Sequence, residues 1–331
     1  MTVQYLRKAS LIVGDNSGKD GSALDLSALR FSFAVRRGDI ETPNSADIRV
    51  YNLSDATAKK IMQLLPTPEF TRVVLQAGYD GNFGVIFDGT IKQIRHGRES
   101  QTDTYLDISA ADGDSAYNFA VSAVSLAAGS KPADHIAAIL ADMAKKGVSR
   151  GYSPDLPGNP LPRGKVIYGM SRDALRGVAR NTSSAWSIQD GKVDFIPLTS
   201  YKPGEVAVIN STTGMIGLPE QTQNGIRIKT LLNPNLKIGQ AVQINNASVQ
   251  QYRYNLALSQ TAQNLMTQNV LKTDADGVYY VMVANHSGDT RGNDWYTDLI
   301  CLSIDVTPPP SLQHQQSSAG QEFVNRIKRY G

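Results

Sequence analysis

Side chains able to bind a metal or move protons lie close together in HSGDTRGND, residues 286–294. A hard-metal or acid–base site would need His286, Asp289 and Asp294 to converge on one point, with a further ligand from a neighbouring strand. Two glycines and alternating polar residues are more typical of an ordered loop between strands, in which Asp289 and Asp294 bind backbone amides. We therefore predict a loop here, and neither a metal centre nor catalytic residues.

The other residues with chemical potential are few and isolated. Asp112 and Asp114 lack the remaining ligands of a calcium-binding loop, which favours a simple turn. His135 falls on a predicted helix, where a packing or surface role is expected. Cys301 is the only cysteine and lies in an apolar run, which favours a buried, unreactive thiol. No GxSxG, HExxH, P-loop or strand-linked GxGxxG motif is present. We predict that the chain is not an enzyme and needs no cofactor.

Composition limits the remaining functional classes. The 331 residues include 41% hydrophobic and 19% charged residues, which is a globular balance long enough for two or three domains. The net charge of +3, from 33 basic and 30 acidic residues, is too small to indicate a nucleic-acid or membrane binder. The N-terminus lacks an apolar signal-peptide core, and no run approaches the length of a membrane span. A single cysteine fits assembly in a reducing cytosol.

The first segment, residues 1–112, is predicted to be a β-barrel or sandwich. LRFSFAV and ADIRVYNL alternate apolar and polar residues, and three further strand-like runs follow between turn residues. One helix interrupts them, with Ser54 as its N-cap and Ala58, Ile61, Leu64 and Leu65 on one face before Pro66.

The second segment, residues 113–200, changes to helical periodicity. GSKPADHIAAILADMAKKG predicts a helix capped by Ser130, with Pro132 in its first turn and a buried stripe of Ile136, Ile139, Leu140 and Met143. SRDALRGVARN predicts a shorter helix capped by Ser171, with Leu175 and Val178 inward. A Pro/Gly-rich loop separates the two helices. WSIQDGKVDFI predicts a hairpin turning at Asp190-Gly191. The segment is therefore predicted to be a small α/β module.

The third segment, residues 201–308, returns to strands. In NGIRIKTLLNPNLKIGQAVQINN, two strands are joined by an Asn233-Pro234-Asn235 turn, and Gly239 allows the chain to re-enter the sheet. Arg227 and Lys229 alternate with apolar residues, so one face of that strand is basic and wet. SVQQYRYNLALSQTAQNLM is equally compatible with a strand or a helix. The tail, residues 309–331, follows three prolines and is predicted to be disordered or to order on a partner.

Five stretches in order resemble the baseplate hub proteins of contractile-tailed, Mu-like bacteriophages. ADIRVYNLSDATAKKI resembles their strand that ends in a Tyr-Asn-Leu turn before a short helix, and VIFDGTIKQI their next strand. AWSIQDGKVDFIPL is similar to the hairpin after their helical module. The Leu-Leu-x-Pro-x-Leu-x-x-Gly stretch and GDTRGNDWYTDLICL are similar to their barrel-linking and closing strands. Together these cover most of residues 1–308.

The resemblance implies a mainly β (α+β) fold with two tube-like β-barrel domains flanking a small α/β module. It also implies a structural role in the virion, assembled in the host cytoplasm. Three chains would form a homotrimeric ring of six similar barrels, which joins a threefold spike protein to the sixfold tail tube protein and to other baseplate proteins. DNA would pass transiently through the enclosed channel, and no membrane would be involved. Arg227 and Lys229 would lie at an interface or in the lumen; an ordinary solvated face is the simpler alternative.

Two other functions are compatible with the sequence. A tail tube subunit shares the barrel, but a second β-rich segment is more than one such subunit needs. A tail-associated cell-wall hydrolase would need a carboxylate pair or a metal triad, which the motifs do not indicate.

Overall fold

Strands dominate the chain, as their alternating sequences predict. The computed structural model describes residues 5–15, 23–63, 71–222, 225–244 and 278–303. Within them the fold is mainly β and centres on a curled, antiparallel half-barrel sheet, which confirms the predicted class.

Several predictions fall outside the described residues. These are the strand-or-helix segment after residue 245, the C-terminal tail, and the end of the first helix at Leu64, Leu65 and Pro66.

The elements follow the three segments in chain order. The first segment forms seven strands and a helix: β1 (Arg7–Asp15), β2 (Leu24–Asp25), β3 (Phe31–Gly38), β4 (Ser45–Tyr51), α1 (Asp55–Gln63), β5 (Thr71–Tyr79), β6 (Asn82–Arg98) and β7 (Thr104–Ala111). The second mixes helices and short strands: α2 (Asp114–Phe119), β8 (Val121–Leu126), α3 (Pro132–Ala144), β9 (Ser149–Arg150), β10 (Lys165–Met170), α4 (Ser171–Asn181), β11 (Ser184–Gln189) and β12 (Lys192–Pro197). The third is formed by strands: β13 (Lys202–Ile209), β14 (Met215–Thr222), β15 (Gly225–Leu231), β16 (Gln240–Ile244), β17 (Val278–Asp289) and β18 (Trp295–Ser303).

The first and third segments contribute to one 13-stranded sheet. Its order is β14-β15-β18-β17-β3-β4-β7-β6-β5-β1-β2, with β16 beside β17 and β13 outside β16. Strand β17 joins the two segments, because residues 283–289 pair with β3 while residues 278–280 pair with β16. The sequence patterns did not predict this pairing, which links strands about 250 residues apart in the chain.

Three main groups of buried side chains lie against these elements. The group on the first segment's strands includes Phe31, Ile48, Leu75 and Trp295. The group in the α/β module includes Ile136, Leu140, Leu175 and Trp186. The group on the third segment's strands includes Ile228, Val242, Val281 and Leu299.

The predicted helix stripes are confirmed, but two predicted caps are wrong. Ile136, Ile139, Leu140 and Met143 are buried on α3, and Leu175 and Val178 are buried on α4. The N-cap of α3 is Lys131, whose backbone N–H donates to Asp134 at 2.8 Å, because Ser130 instead donates to the carbonyl of Ala127. The N-cap of α4 is Met170; Ser171 is the first helical residue, and its hydroxyl is 2.8 Å from that of Ser122. Ser54 does cap α1 through the Thr57 N–H.

The loop between β15 and β16 ties the two β-rich segments together. Residues 234–235 form the predicted turn, and Gly239 has a φ of 84°, a backbone conformation that favours glycine. Asn82 donates to Asn233 at 3.1 Å and accepts from Asn235 at 2.9 Å. Lys237 donates to the carbonyl of Val85 at 3.0 Å. The loop therefore joins the third segment to strand β6 of the first segment through specific hydrogen bonds.

A polar junction, buried at Arg37, Asn44 and Gln189 and half-buried at Asp190 and Lys237, joins this loop to the α/β module. Arg37, whose side chain is 3% exposed, forms an ion pair with Asp190 at 2.9 Å and donates to Gln189 at 3.2 Å. Lys237 reaches the same Asp190 carboxylate at 3.3 Å. Asn44 donates to Gln189 at 2.9 Å. Asp190 and Gly191 have φ values of 53° and 72°, as the predicted hairpin turn requires. We call Arg37, Asn44, Gln189, Asp190 and Lys237 the junction.

Two buried groups beside the junction, Asp112 and His286, have shifted pKa values that change the pH dependence of stability in opposite directions. Burial raises the pKa of Asp112 to about 7, although its carboxylate accepts a hydrogen bond from the Gly191 N–H. Burial, together with the charges of Arg37 and Lys237, lowers the pKa of His286 to about 3. The folded chain therefore holds a proton on Asp112 between about pH 4 and 7, so stability is lost as pH rises through that range. His286 acts in the opposite sense, because between about pH 6.5 and 3 only the unfolded chain takes up its proton and stability is lost as pH falls.

Asp112→Asn is expected to separate these two effects. The asparagine keeps an oxygen for the Gly191 N–H but does not ionise, so the variant should gain stability relative to the wild type as pH rises from 5 to 8. The gain is expected to be on the order of 2 kcal/mol. Urea unfolding at several pH values measures it. The control is Asp114→Asn, two residues along the chain from Asp112, which removes the ion-pair partner of Lys92. The difference in stability between this variant and the wild type should not change over this pH range.

Candidate functional site

One face of the sheet is mostly polar on β3, β4, β6 and β7 and on parts of β15, β17 and β18, although Val283, Ile300 and Leu302 on the same side are apolar. The alternation of each strand sends apolar side chains to the buried groups and polar side chains to the opposite side. We call the second side the polar face; its members are Ser32, Ala34, Arg36, Asp47, Arg49, Tyr51, Gln93, Arg95, Asp107, Ser109, Arg227, Lys229, Asn285, Ser287, Asp289 and Asp298.

The strand register makes this face continuous between the first and third segments. Directly opposite residues in antiparallel strands lie on the same face. Lys229 is opposite Asp298, which is opposite Asn285, which is opposite Arg36. Ser32, on the same side of β3 as Arg36, is opposite Arg49, and Arg49 is opposite Asp107. Arg227 and Lys229 therefore share one surface with the charged residues of the first segment.

Most of the cations on the polar face have a carboxylate partner. Arg49 binds Asp107 through two hydrogen bonds of 2.7 and 3.0 Å, and Arg36 binds Asp47 at 3.1 Å. These pairs are partly or largely exposed, so each adds little to stability. Their effect is on the surface itself, because the positive charges are neutralised side by side with negative ones.

The curled sheet forms a groove of about 520 Å³ on this face. Residues of β3, β4, β6, β7 and β17 line it, including Arg49, Arg95, Asp107 and Asp289. Arg30 binds Asp289 at 2.8 Å at one end and lowers the pKa of that carboxyl below its usual range. The groove is thus open and polar, and its lining carries charges of both signs.

Arg227 and Lys229 are exposed on β15, in the alternation that the sequence predicts. Arg227 is 4.0 Å from Asp298, and the Lys229 ammonium lies 4.1 Å from the centre of the Tyr296 ring. Their assignment to an interface or a lumen stays a prediction.

His286, Asp289 and Asp294 do not form a common site. His286 is buried on the apolar side of β17, with Nδ1 2.9 Å from the Thr297 hydroxyl. Asp289 lies on the polar face, because positions three apart on a strand point to opposite sides. Its carboxylate accepts from the Arg291 and Gly292 amides at 2.9 Å, which confirms its predicted loop-forming role. The backbone carbonyl of Asp294 accepts from the Asp289 N–H, which closes the same loop.

The other residues that the sequence singled out for possible chemistry are part of the packing, a turn or a helix. Burial raises the pKa of the Cys301 thiol, as expected of an unreactive cysteine. His135 is buried on α3 in a packing role. Asp112 lies in the predicted turn, but Asp114 begins helix α2, which the sequence patterns missed.

Across the described ranges, no three His, Cys, Asp or Glu side chains are placed to hold a metal ion. Nor does any helix in those ranges have the length and apolar character to cross a membrane.

Sequence patterns alone did not identify the charged residues of the first segment as members of this surface. Alternating charges in ADIRVY and LDIS were a usable signal, since Asp47, Arg49 and Asp107 occupy the polar positions of their strands. The sequence patterns could not predict the strand register that places Arg49 opposite Asp107.

Comparison with solved structures places this architecture among tail proteins. A tail protein from Neisseria meningitidis MC58 superposes with a TM-score of 0.54 over 91% of this chain and 97% of its own, at 13% identity. The prophage MuSo2 43 kDa tail protein from Shewanella oneidensis does so with a TM-score of 0.55 over 92% and 99%, at 8% identity. The chain has a tail-protein fold. A chain of the Francisella PdpA-VgrG complex shares the tail-protein fold with a TM-score of 0.51, over 93% of this chain and 54% of its own, at 9% identity.

The structural likeness to these tail proteins has no counterpart in the two sequence comparisons. No protein-family model and no curated protein matches the sequence.

Proposed function

We propose that the chain is the structural baseplate hub of a contractile phage tail. The observation that carries this proposal is the end-to-end likeness to two tail proteins, which spans over nine-tenths of all three chains. The hub has no enzymatic activity, lies in the virion baseplate and is assembled in the host cytoplasm. Its partners are the spike protein below, the tail tube protein above and other baseplate proteins.

The proposed hub is a homotrimer with two barrel-like domains per chain, at residues 1–112 and 201–308. The α/β module occupies residues 113–200. Two similar β-rich domains in each of three chains give six units in a ring, which lets a threefold spike meet a sixfold tube. Ring closure also covers sheet edges that are otherwise prone to aggregate.

The polar face lines the DNA channel of this ring. Dense, unpaired positive charge would hold DNA through counterion release. On this face Arg36 and Arg49 each have a carboxylate directly beside them. Arg227 and Lys229 continue the same surface, so they belong to the proposed channel wall.

The oligomeric state tests the hub proposal most directly. Sedimentation of the purified protein should give three times the chain mass of 35.8 kDa, and negative-stain images should show a ring with a central opening. A monomer that also fails to bind spike and tube proteins would contradict the proposal. A sixfold ring of the chain alone would indicate a tube subunit instead.

Removing the carboxylates of the polar face is expected to make the protein retain DNA. Asp47→Asn combined with Asp107→Asn leaves Arg36 without its carboxylate partner and leaves Arg49 only its longer contact with Glu99 at 3.6 Å. Duplex DNA binding should then appear in fluorescence anisotropy at roughly 0.15 M salt. The slope of log K against log salt should be about −2, because about two phosphates are neutralised.

The matched control removes two carboxylates elsewhere on the surface. Asp142→Asn with Asp173→Asn removes carboxylate partners of Lys145 and Arg176 on the α/β module, outside the polar face, and should bind DNA no better than the wild type. Equal DNA binding by the two double variants would contradict a special role for the polar face.

A further inference from the structure

Strands β8 and β10 form a two-stranded ribbon on the α/β module. Six antiparallel pairs join them, from Lys165 opposite Leu126 to Met170 opposite Val121. On the inner side, Ser122 is fully buried and Ile167 packs against the module's buried group. The other side of the ribbon therefore has no covering element among the described residues.

The outer side of the ribbon is apolar and exposed. Tyr168 is 84% exposed, Val166 is 75% exposed and Val121 is 51% exposed. Ala123 and Ser125 are the exposed residues opposite Tyr168 and Val166, so the face carries no charge. Phe119, 52% exposed, extends it at the end of α2. A contiguous exposed group of this kind is typical of an interaction site.

The free edge of β10 also lacks features that protect two other edge strands of this molecule. The edge strands β13 and β14 contain Pro203 and Pro219, and both have shifts in register. Proline and bulges are common means of preventing an edge from pairing. Strand β10 has neither, and its pairing with β8 is regular throughout. An edge without proline or a bulge is suited to accepting another strand.

Basic residues lie at both ends of β10. Arg163 and Lys165 are exposed at its start, and Arg172 follows its end by two residues. Arg172 donates to the Tyr117 carbonyl and to the Asn118 side chain. In the described part of the chain, none of these three cations forms an ion pair with a carboxylate. A segment lying along β10 would thus meet uncharged, apolar surface in the middle and positive charge at each end.

We propose that the β8–β10 ribbon is a docking surface for an extended segment of another protein. The segment pairs with the free edge of β10 as a third strand and covers Val166 and Tyr168. It has β-branched or aromatic residues at alternate positions and an acidic residue at each end. Main-chain hydrogen bonds supply affinity, and the alternate side chains and terminal charges supply selectivity. This inference rests on the ribbon alone and not on the proposed hub function.

Binding of designed peptides to the full-length protein tests the proposal. The probe is a short fluorescein-labelled peptide in which valine and threonine alternate between two terminal aspartates. Its counterpart has terminal lysines and is otherwise identical. Anisotropy should show that the acidic peptide binds about tenfold more tightly, because two attractive charge pairs become repulsive. Hydrogen exchange should slow at residues 165–170 when the acidic peptide is bound.

Two variants connect the binding to the ribbon. Tyr168→Lys removes an aromatic contact and adds a like charge, and should weaken binding of the acidic peptide by more than about tenfold. Leu218→Lys is the matched control, because Leu218 is also an exposed apolar residue on an edge strand, next to Pro219. It should leave binding unchanged.

Three results would overturn the proposal. The first is failure of both peptides to bind, and the second is equal weakening by Tyr168→Lys and Leu218→Lys. The third is a lower oligomeric mass of Tyr168→Lys in sedimentation, since the ribbon would then join copies of this chain. A monomeric wild type that binds the acidic peptide would leave the ribbon proposal intact and count against the hub.

Discussion

Replacing Trp295 with alanine is expected to lower the free energy of unfolding by about 3–5 kcal/mol, the cost of emptying a large buried site. Trp295 is fully buried at the start of β18 and packs edge-on against Phe33, with ring centres 5.5 Å apart. Its indole N–H donates to the Gly78 carbonyl on β5 at 3.2 Å. The Arg7 guanidinium on β1 lies 5.6 Å from the ring centre. One side chain thus connects strands from both ends of the first segment's sheet to the β17–β18 hairpin.

Phenylalanine variants separate the hydrogen bond from the lost volume. Trp186, the only other tryptophan, is equally buried, but its indole N–H has no partner. Trp295→Phe leaves the Gly78 carbonyl without this donor, whereas Trp186→Phe removes an unpaired polar group. We expect Trp295→Phe to be the more destabilising by about 1–2 kcal/mol. Denaturant unfolding measures both, and each variant keeps one tryptophan as a fluorescence probe. Equal costs would show that the Gly78 contact is unimportant.

Asp190→Asn at the junction is expected to cost about 2–4 kcal/mol, because it leaves the buried Arg37 guanidinium without its counter-charge. Arg37 and Lys237 both contact this carboxylate, and they hold the pKa of Asp190 below its usual range although burial acts to raise it. The backbone is not the cause of the loss, since asparagine tolerates the positive φ of residue 190. Denaturant unfolding at neutral pH gives the measurement.

A second substitution at Arg37 tests the electrostatic origin of this loss. Combining Arg37→Met with Asp190→Asn removes both charges, so the double variant should be more stable than Asp190→Asn alone. Asp142→Asn breaks the exposed pair with Lys145 on α3 and should change stability by no more than about 0.5 kcal/mol. A double variant less stable than Asp190→Asn would show that Arg37 contributes by packing and hydrogen bonding.

Local sequence patterns predicted most of the individual elements. The alternation of LRFSFAV and ADIRVYNL gives β3 and β4, and helical spacing gives the buried faces of α3 and α4. The Asp190-Gly191 turn followed from the need for two positive φ angles in a tight hairpin. The missed caps show the limit of such patterns. Ser130 and Ser171 have the residue type and the position expected of an N-cap. The Ser130 hydroxyl instead donates to the Ala127 carbonyl, and the Ser171 hydroxyl contacts that of Ser122.

Tertiary structure alone decided which strands meet and which polar residues are buried. Arg37 and His286 occupy apolar-side positions of their strands, and their environment comes from the α/β hairpin and the 232–239 loop, which are distant in sequence. The polar face likewise depends on the pairing of β17 with β3, which places Arg227 and Arg49 on one surface. Periods of 2 and 3.6 residues are properties of a few neighbouring residues, so the sequence determined the elements and their apolar faces. Strand order and register depend on which distant edges pair and bury those faces together, and only the complete fold determines that.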